Sequence, residues 1–238
     1  MVNRYALIYT FMVLFALMNL GYQELSQENH PPSVKIIAPA NSTMFKAGTP
    51  VSYQLSVTDE EDGDSKFDEI NAKEVLLEVR YVNNKSKIPG LTAKTTLDDP
   101  PGLTTIRTSN CFNCHNFNGK SIGPSFFEIG KRYPSTKSNI DSLVKSVKNG
   151  SAGLWGKQKM PSHPELTVEE IKGTVLWILK NATAQDINYY NGITGIIQFP
   201  AGRNGAYMLT ASYTDHGLIN ASAKHLKGAY VVVVSVKL

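Results

Sequence analysis

The chain contains two cysteines, and they stand three residues apart with a histidine directly after the second: Cys111-Phe-Asn-Cys114-His115. This arrangement constrains the fold more than any other feature. Two cysteines cannot build a disulfide-rich scaffold, and they cannot fill a four-cysteine zinc or iron–sulfur site. A core must therefore come from apolar packing, and 42% apolar residues over 238 positions is enough for one or two domains of ordinary size. Charged residues make up 18%, too few for a disordered chain. The net charge is +4 with no basic block, so nucleic acid is not an indicated partner.

C-x-x-C-H is the attachment signature for c-type haem. Each thiol can add to one vinyl group, and the adjacent histidine then serves as an axial iron ligand. One helical turn would put both sulfurs and the imidazole on one porphyrin face. Three other readings compete. A redox disulfide expects a βαβ context, whereas this neighbourhood reads as helical. Half a zinc site lacks partners. A structural disulfide leaves His115 without a role. For a second axial ligand, a methionine thioether favours ferrous iron and raises the potential. Met160 is the methionine of the helical segment, in a proline-flanked loop (Trp155 to Pro164). His163 is its competitor.

The remaining chain divides into parts. Residues 1–22 hold one positive charge, Arg4, before an uncharged apolar stretch, which reads as a signal peptide or an uncleaved anchor. That predicts a periplasmic or extracellular protein that meets a membrane only through this segment if it is retained. Residues 31–93 look β: strands are expected at 34–37, 51–57 and 75–82, on alternation and β-branched content. Residues 104–183 read as helical, with i, i+3, i+4, i+7 spacing at Ile140, Leu143, Val144 and Val147, and a capping box at Thr167 and Glu170. Residues 187–238 return to β, with strands expected at 193–199, 207–213 and 230–236. This segment is expected to be incomplete or packed on the N-terminal module.

Two resemblances rest on these residues. Residues 104–182 resemble the small class I c-type cytochromes, especially the short bacterial mono-haem type. The matching pieces are the Cys111–His115 motif, Lys120-Ser-Ile122-Gly-Pro124-Ser-Phe126, Trp155-Gly-x-x-x-Met160-Pro-x-His163-Pro164, and the helix from Val168. Ser162 stands where that family often has proline. The resemblance implies thioethers at Cys111 and Cys114, iron ligation by His115 and Met160, and a Pro124 carbonyl orienting His115. It also implies that Ile122 and Phe126 pack on the haem and that Trp155 lies near a propionate. Pro31-Pro32-x-Val34-x-Ile36, Gly48-Thr-Pro50-Val51-x-Tyr53 and Asp59-Glu-Glu-Asp-Gly63 resemble the immunoglobulin-like PKD module of secreted proteins.

The fold expected is thus multi-domain, α and β. A class I cytochrome c helical domain is flanked by an N-terminal PKD/Ig-like β-sandwich and a short C-terminal β segment. The function implied is one-electron transfer by a single covalent haem c, not enzymatic turnover. Two protein ligands on iron would disfavour peroxidase chemistry. The partner expected is a redox protein or dehydrogenase, since the arrangement is similar to the tail of membrane-bound dehydrogenases of sugar or alcohol oxidation. The alternative is a β-module binding protein, for carbohydrate or a dehydrogenase, that carries the haem domain. The acidic run Asp59–Asp64 would suit a calcium ion, although such runs are more commonly solvated turns.

Overall fold

The computed structural model describes residues 28–95, 99–218 and 225–238. The leader at 1–22 lies outside them. Among the described residues, no helix is long and apolar enough to cross a membrane.

The first strands follow from period-two patterning. β1 (Ser33–Ala38) and β3 (Pro50–Asp59) alternate buried and exposed positions along almost their full length. Between them lies the three-residue β2 (Met44–Lys46), and after β3 come the two-residue β4 (Gly63–Asp64) and β5 (Leu76–Val82). The C-terminal part supplies β8 (Ile187–Asn191), β9 (Thr194–Gln198), β10 (Gly205–Thr214) and β11 (Lys227–Lys237).

The two β parts share their sheets. In one sheet β3 pairs with β1, β4 and β9; in the other the order is β2-β11-β10-β5-β8. Strands β5 and β8 are hydrogen-bonded neighbours, antiparallel from Leu76↔Asn191 to Arg80↔Ile187. β9 likewise pairs with β3, from Pro50↔Gln198 to Gln54↔Thr194. Everything between β5 and β8 is therefore an excursion from a sheet that closes behind it. One core joins the two sheets, built on Tyr53, Leu55, Val57, Leu77, Val79, Ile197, Leu209, Tyr213 and Val234.

The excursion is mainly helical. It contains α1 (Ile88–Thr95), α2 (Pro101–Thr108), α3 (Phe126–Arg132), α4 (Lys137–Asn149) and α5 (Val168–Asn181). Helix α1 begins inside the stretch 31–93 expected to be β and ends just beyond it. It forms because Ile88 and Leu91 can cover Val82 and Met208 on the outer face of the second sheet. Helix α2 opens with Pro101 in its first turn, where a missing N–H costs nothing. α3 and α5 both begin in capping boxes, Ser125 with Glu128 and Thr167 with Glu170. Helices α2 and α5 cross in contact: a Cβ on Gly102 would sit 2.4 Å from the Gly173 carbonyl oxygen.

The period of two also explains how the helical part docks. On β5, Leu77 and Val79 point into the sandwich core while Leu76 points out. Leu76 and Tyr189 of β8 join Leu103, Ile106, Phe112, Phe117 and Trp177 in a second core shared by the helical and β parts. Beside it lies a buried polar cluster. The Arg107 side chain is only 3% exposed, and its Nε lies 2.6 Å from Asp99 Oδ2. Its other nitrogens donate to the Ser212 hydroxyl and the Glu74 carbonyl. Lys227 Nζ lies 2.5 Å from Asp99 Oδ1. Removing one partner from such a buried set typically costs about 3–5 kcal/mol, so the cluster fixes how the two parts meet.

The calcium expectation is not supported. Among the described residues, no three His, Cys, Asp or Glu side chains come together in a way that could hold a metal ion. Asp59 instead accepts the backbone N–H groups of Glu61 and Asp62 and closes the turn between β3 and β4. Asp62 accepts from the Tyr213 hydroxyl.

Candidate functional site

The two cysteines and His115 sit at the end of a short helical turn. Cys111–Asn113 is a single 3-10 turn, and the N–H groups of Cys114 and His115 both donate to the Cys111 carbonyl. That turn sets both thiols and the imidazole against one cleft, which is also lined by Ile122, Pro124, Phe126, Trp155 and Met160. Its floor comes from helices: Leu143 and Val147 of α4 and Ile171, Val175 and Leu179 of α5. The empty space, counted out to its open mouth, is about 1320 Å³. Its lining is mainly apolar.

The imidazole is held firmly. His115 Nδ1 lies 2.7 Å from the Pro124 carbonyl oxygen, which makes Nδ1 the protonated nitrogen and leaves Nε2 as the candidate ligand atom. The Phe126 ring lies nearly parallel to it, 5.6 Å between centroids and 13° between planes. Burial, the dominant cause, pushes the His115 pKa below the usual imidazole value, opposed by the Pro124 contact and aided by nearby His163. A neutral ring is the form that binds a metal.

The thiols are free, and burial pushes Cys111 up to about 11. A thiol so weakly acidic is unlike the low-pKa cysteine of a redox disulfide pair. Gly123 supplies the remaining fit: a Cβ there would lie 2.6 Å from His115 Cε1. The backbone is thus shaped around the imidazole. Gly123→Ala is expected to force the ring from its bond to Pro124 and to lower the yield of pigmented protein several-fold, read as absorbance per chain.

Met160 is placed differently from the loop expected for it. It is the last residue of β7 (Gly156–Met160), which pairs with β6 (Ser151–Gly153) in a small hairpin, Ser151 opposite Met160. Trp155, in the turn of this hairpin, meets the Tyr133 ring edge-on and lies under the Arg132 guanidinium, 4.5 Å from its centroid. Ile122 is 54% exposed and Leu154 51%, both on the cleft. His163 pairs with Glu165 at 2.8 Å. The α4, α5 and Leu154 lining was visible in sequence only as helical periodicity or as a single apolar residue. Gly123 lay within the quoted Gly-Pro stretch but had no individual signal.

The cleft therefore suits a large, flat, apolar metal chelate held by two sulfurs and one imidazole. The comparisons of sequence with known proteins agree. The family model for cytochrome c matches residues 102–182. Cytochrome c-552 of Hydrogenobacter thermophilus is 33% identical over 73 residues, covering 31% of this chain and 74% of that protein. Cytochrome c-551 of Azotobacter vinelandii is 34% identical over 78 residues, covering 33% of this chain and 94% of its own length. Among solved structures, cytochrome c552 of Nitrosomonas europaea covers 33% of this chain and 96% of its own at 28% identity, with a TM-score of 0.32. The matched domain is an electron-carrier domain with one covalent haem c, and the chain belongs to the cytochrome c family.

Proposed function

We propose that Cys111 and Cys114 would hold one haem through thioethers and that His115 and Met160 would ligate its iron. The observation that carries this reading is the convergence of these four side chains on one apolar cleft. When bound, the haem supplies a one-electron ferric/ferrous couple. The protein's residues do the rest. Pro124 holds the proton of His115 on Nδ1 and fixes the tautomer. The α4 and α5 side chains keep water from one wall and lower the local polarity. Met160, by its soft sulfur, favours the reduced state. With His115 and Met160 both on the iron, a bound haem would carry electrons rather than turn over peroxide.

The shared sheets support a reading in which the flanking parts form one immunoglobulin-like module with the cytochrome inserted in it. Covalent attachment and the apolar leader support a location outside the cytoplasmic membrane. For the partner we favour a separate redox protein or dehydrogenase, of the kind that oxidises sugars or alcohols. Lys159 is exposed and lines the cleft, and Lys120 and Lys157 are exposed two residues or fewer from lining residues Ile122 and Gln158, which favours an acidic docking face on that partner.

A potentiometric titration of the purified chain tests the carrier reading. A single reversible one-electron wave, with no peroxide turnover, is expected. Steady peroxide consumption, or the absence of any wave, would refute it.

A further inference from the structure

The haem-attachment loop is held from outside the cytochrome segment. Asn191 closes β8, opposite Leu76. Its Oδ1 accepts from the Phe117 backbone N–H at 2.8 Å, and its Nδ2 donates to the Lys73 carbonyl at 2.9 Å. Next to it, Asn118 Nδ2 donates to the Tyr189 carbonyl at 2.6 Å. The motif itself is reached too: Asn71 Nδ2 donates to Asn113 Oδ1 at 2.8 Å, and Lys73 Nζ to the Asn113 carbonyl at 3.2 Å. The stretch 113–118, which contains His115, is thus strapped to the β part.

The strap leads to the imidazole through rings. The Phe117 ring lies 4.4 Å from that of Tyr189 and meets Phe126 edge-on at 5.5 Å. Phe126 in turn lies face to face with His115. One hydrogen bond to Pro124 anchors His115 Nδ1 but lets the ring pivot about that bond. The face of Phe126 and the Gly123 backbone confine the ring, and Phe117, with Phe112, holds Phe126 in place. Phe117 is 2% exposed, and Asn191 fixes its backbone.

We propose that Asn191, a residue of the β part, is a positioning residue for the His115 ring, and that the β module thereby helps set the potential of the iron. The inference rests on His115 being an iron ligand. Outer partners that fix a ligand's orientation are among the protein's means of tuning a haem. It also gives the insertion between β5 and β8 a purpose beyond tethering.

The test uses the full haem-loaded chain. In Asn191→Ala, haem content per chain stays as in the parent. The ferric low-spin electron paramagnetic resonance signal broadens, because the ring samples more than one plane, and the midpoint potential shifts. Asn191→Asp keeps an acceptor for the Phe117 N–H and restores a narrow signal. A parent-like signal and potential in Asn191→Ala, even with a lower melting temperature, would show a merely structural role and overturn the proposal. Should that variant fail to accumulate, Asn118→Ala, at an exposed residue, loosens the same strap. It is expected to broaden the signal, and an unchanged signal there overturns the proposal equally. A parent chain without attached haem would instead defeat the proposed ligand assignment.

Discussion

With Cys111 and Cys114 both replaced by alanine, the chain is expected to lose its covalent haem completely, from one per chain to none, and to lose stability in the β part as well. The first effect follows from the chemistry, because no other cysteine remains to form a thioether. The second follows from packing. The helices that wall the cleft also carry the shared core: Trp177 and Ile178 of α5 and Leu103 and Ile106 of α2 pack with Leu76 and Tyr189 of the sheet. A group bound only by the folded state stabilises that state, by about 4 kcal/mol at a thousandfold excess over its dissociation constant. A thioether-linked haem stays on the unfolded chain as well, so what it adds is the packing and iron ligation that only the fold supplies, and that contribution goes with the two cysteines. Strands β5 and β8 close the sheet across the whole insertion, so a slack insertion leaves their pairing without its covering layer. Unfolding in urea, followed by tryptophan fluorescence and by far-ultraviolet circular dichroism, is expected to show both parts melting earlier. A β part that melts as in the parent would show that the two parts are energetically independent.

Met160→Leu is expected to leave the fold nearly intact and to change the iron site greatly. The two side chains have similar volume, and such swaps usually cost less than about 1.5 kcal/mol. The sulfur is what is lost. The sulfur-to-iron absorption band of the ferric state should vanish. The midpoint potential should fall by a sizeable part of the ~0.8 V over which axial ligands move haem potentials. His163, two residues beyond Pro161 and paired with Glu165, provides the internal control. If His163 were the ligand, Met160→Leu would leave spectrum and potential unchanged, and His163→Ala would alter both.

The sequence motif made the chemistry legible because that chemistry is local. Two sulfurs and an imidazole within five residues need only one helical turn to face together, and the chain makes that turn. The helices α3 to α5 were equally open to reading, because each carries an amphipathic pattern or a capping box. The architecture around them was not. β5 is legible as a strand, but β8 precedes the strands expected at 193–199, 207–213 and 230–236, and nothing local says that it pairs with β5 across the insertion. The sequence leaves open whether the C-terminal segment packs on the N-terminal module, because chain order says nothing of which strands share a sheet. The strands β2 and β4 are too short to carry an alternating pattern. α1 is a helix because of what it covers, not because of its own residues, which include Pro89 and Gly90. Met160 was expected in a loop because Pro161 follows it, yet its backbone can still pair with Ser151. Asn191 shows the limit most clearly: a single polar residue at a strand end gives no sign of the loop it holds 74 residues away.

The central claim is that one haem is covalently joined to this chain at Cys111 and Cys114. The most direct test denatures the purified protein, extracts it with acidified acetone, and records the alkaline pyridine haemochrome of the polypeptide fraction. The account predicts one haem per chain, all of it retained with the polypeptide, with the spectrum of a porphyrin whose two vinyl groups are saturated. Pigment released into the acetone, or a colourless protein from cells that assemble other c-type cytochromes, would contradict it.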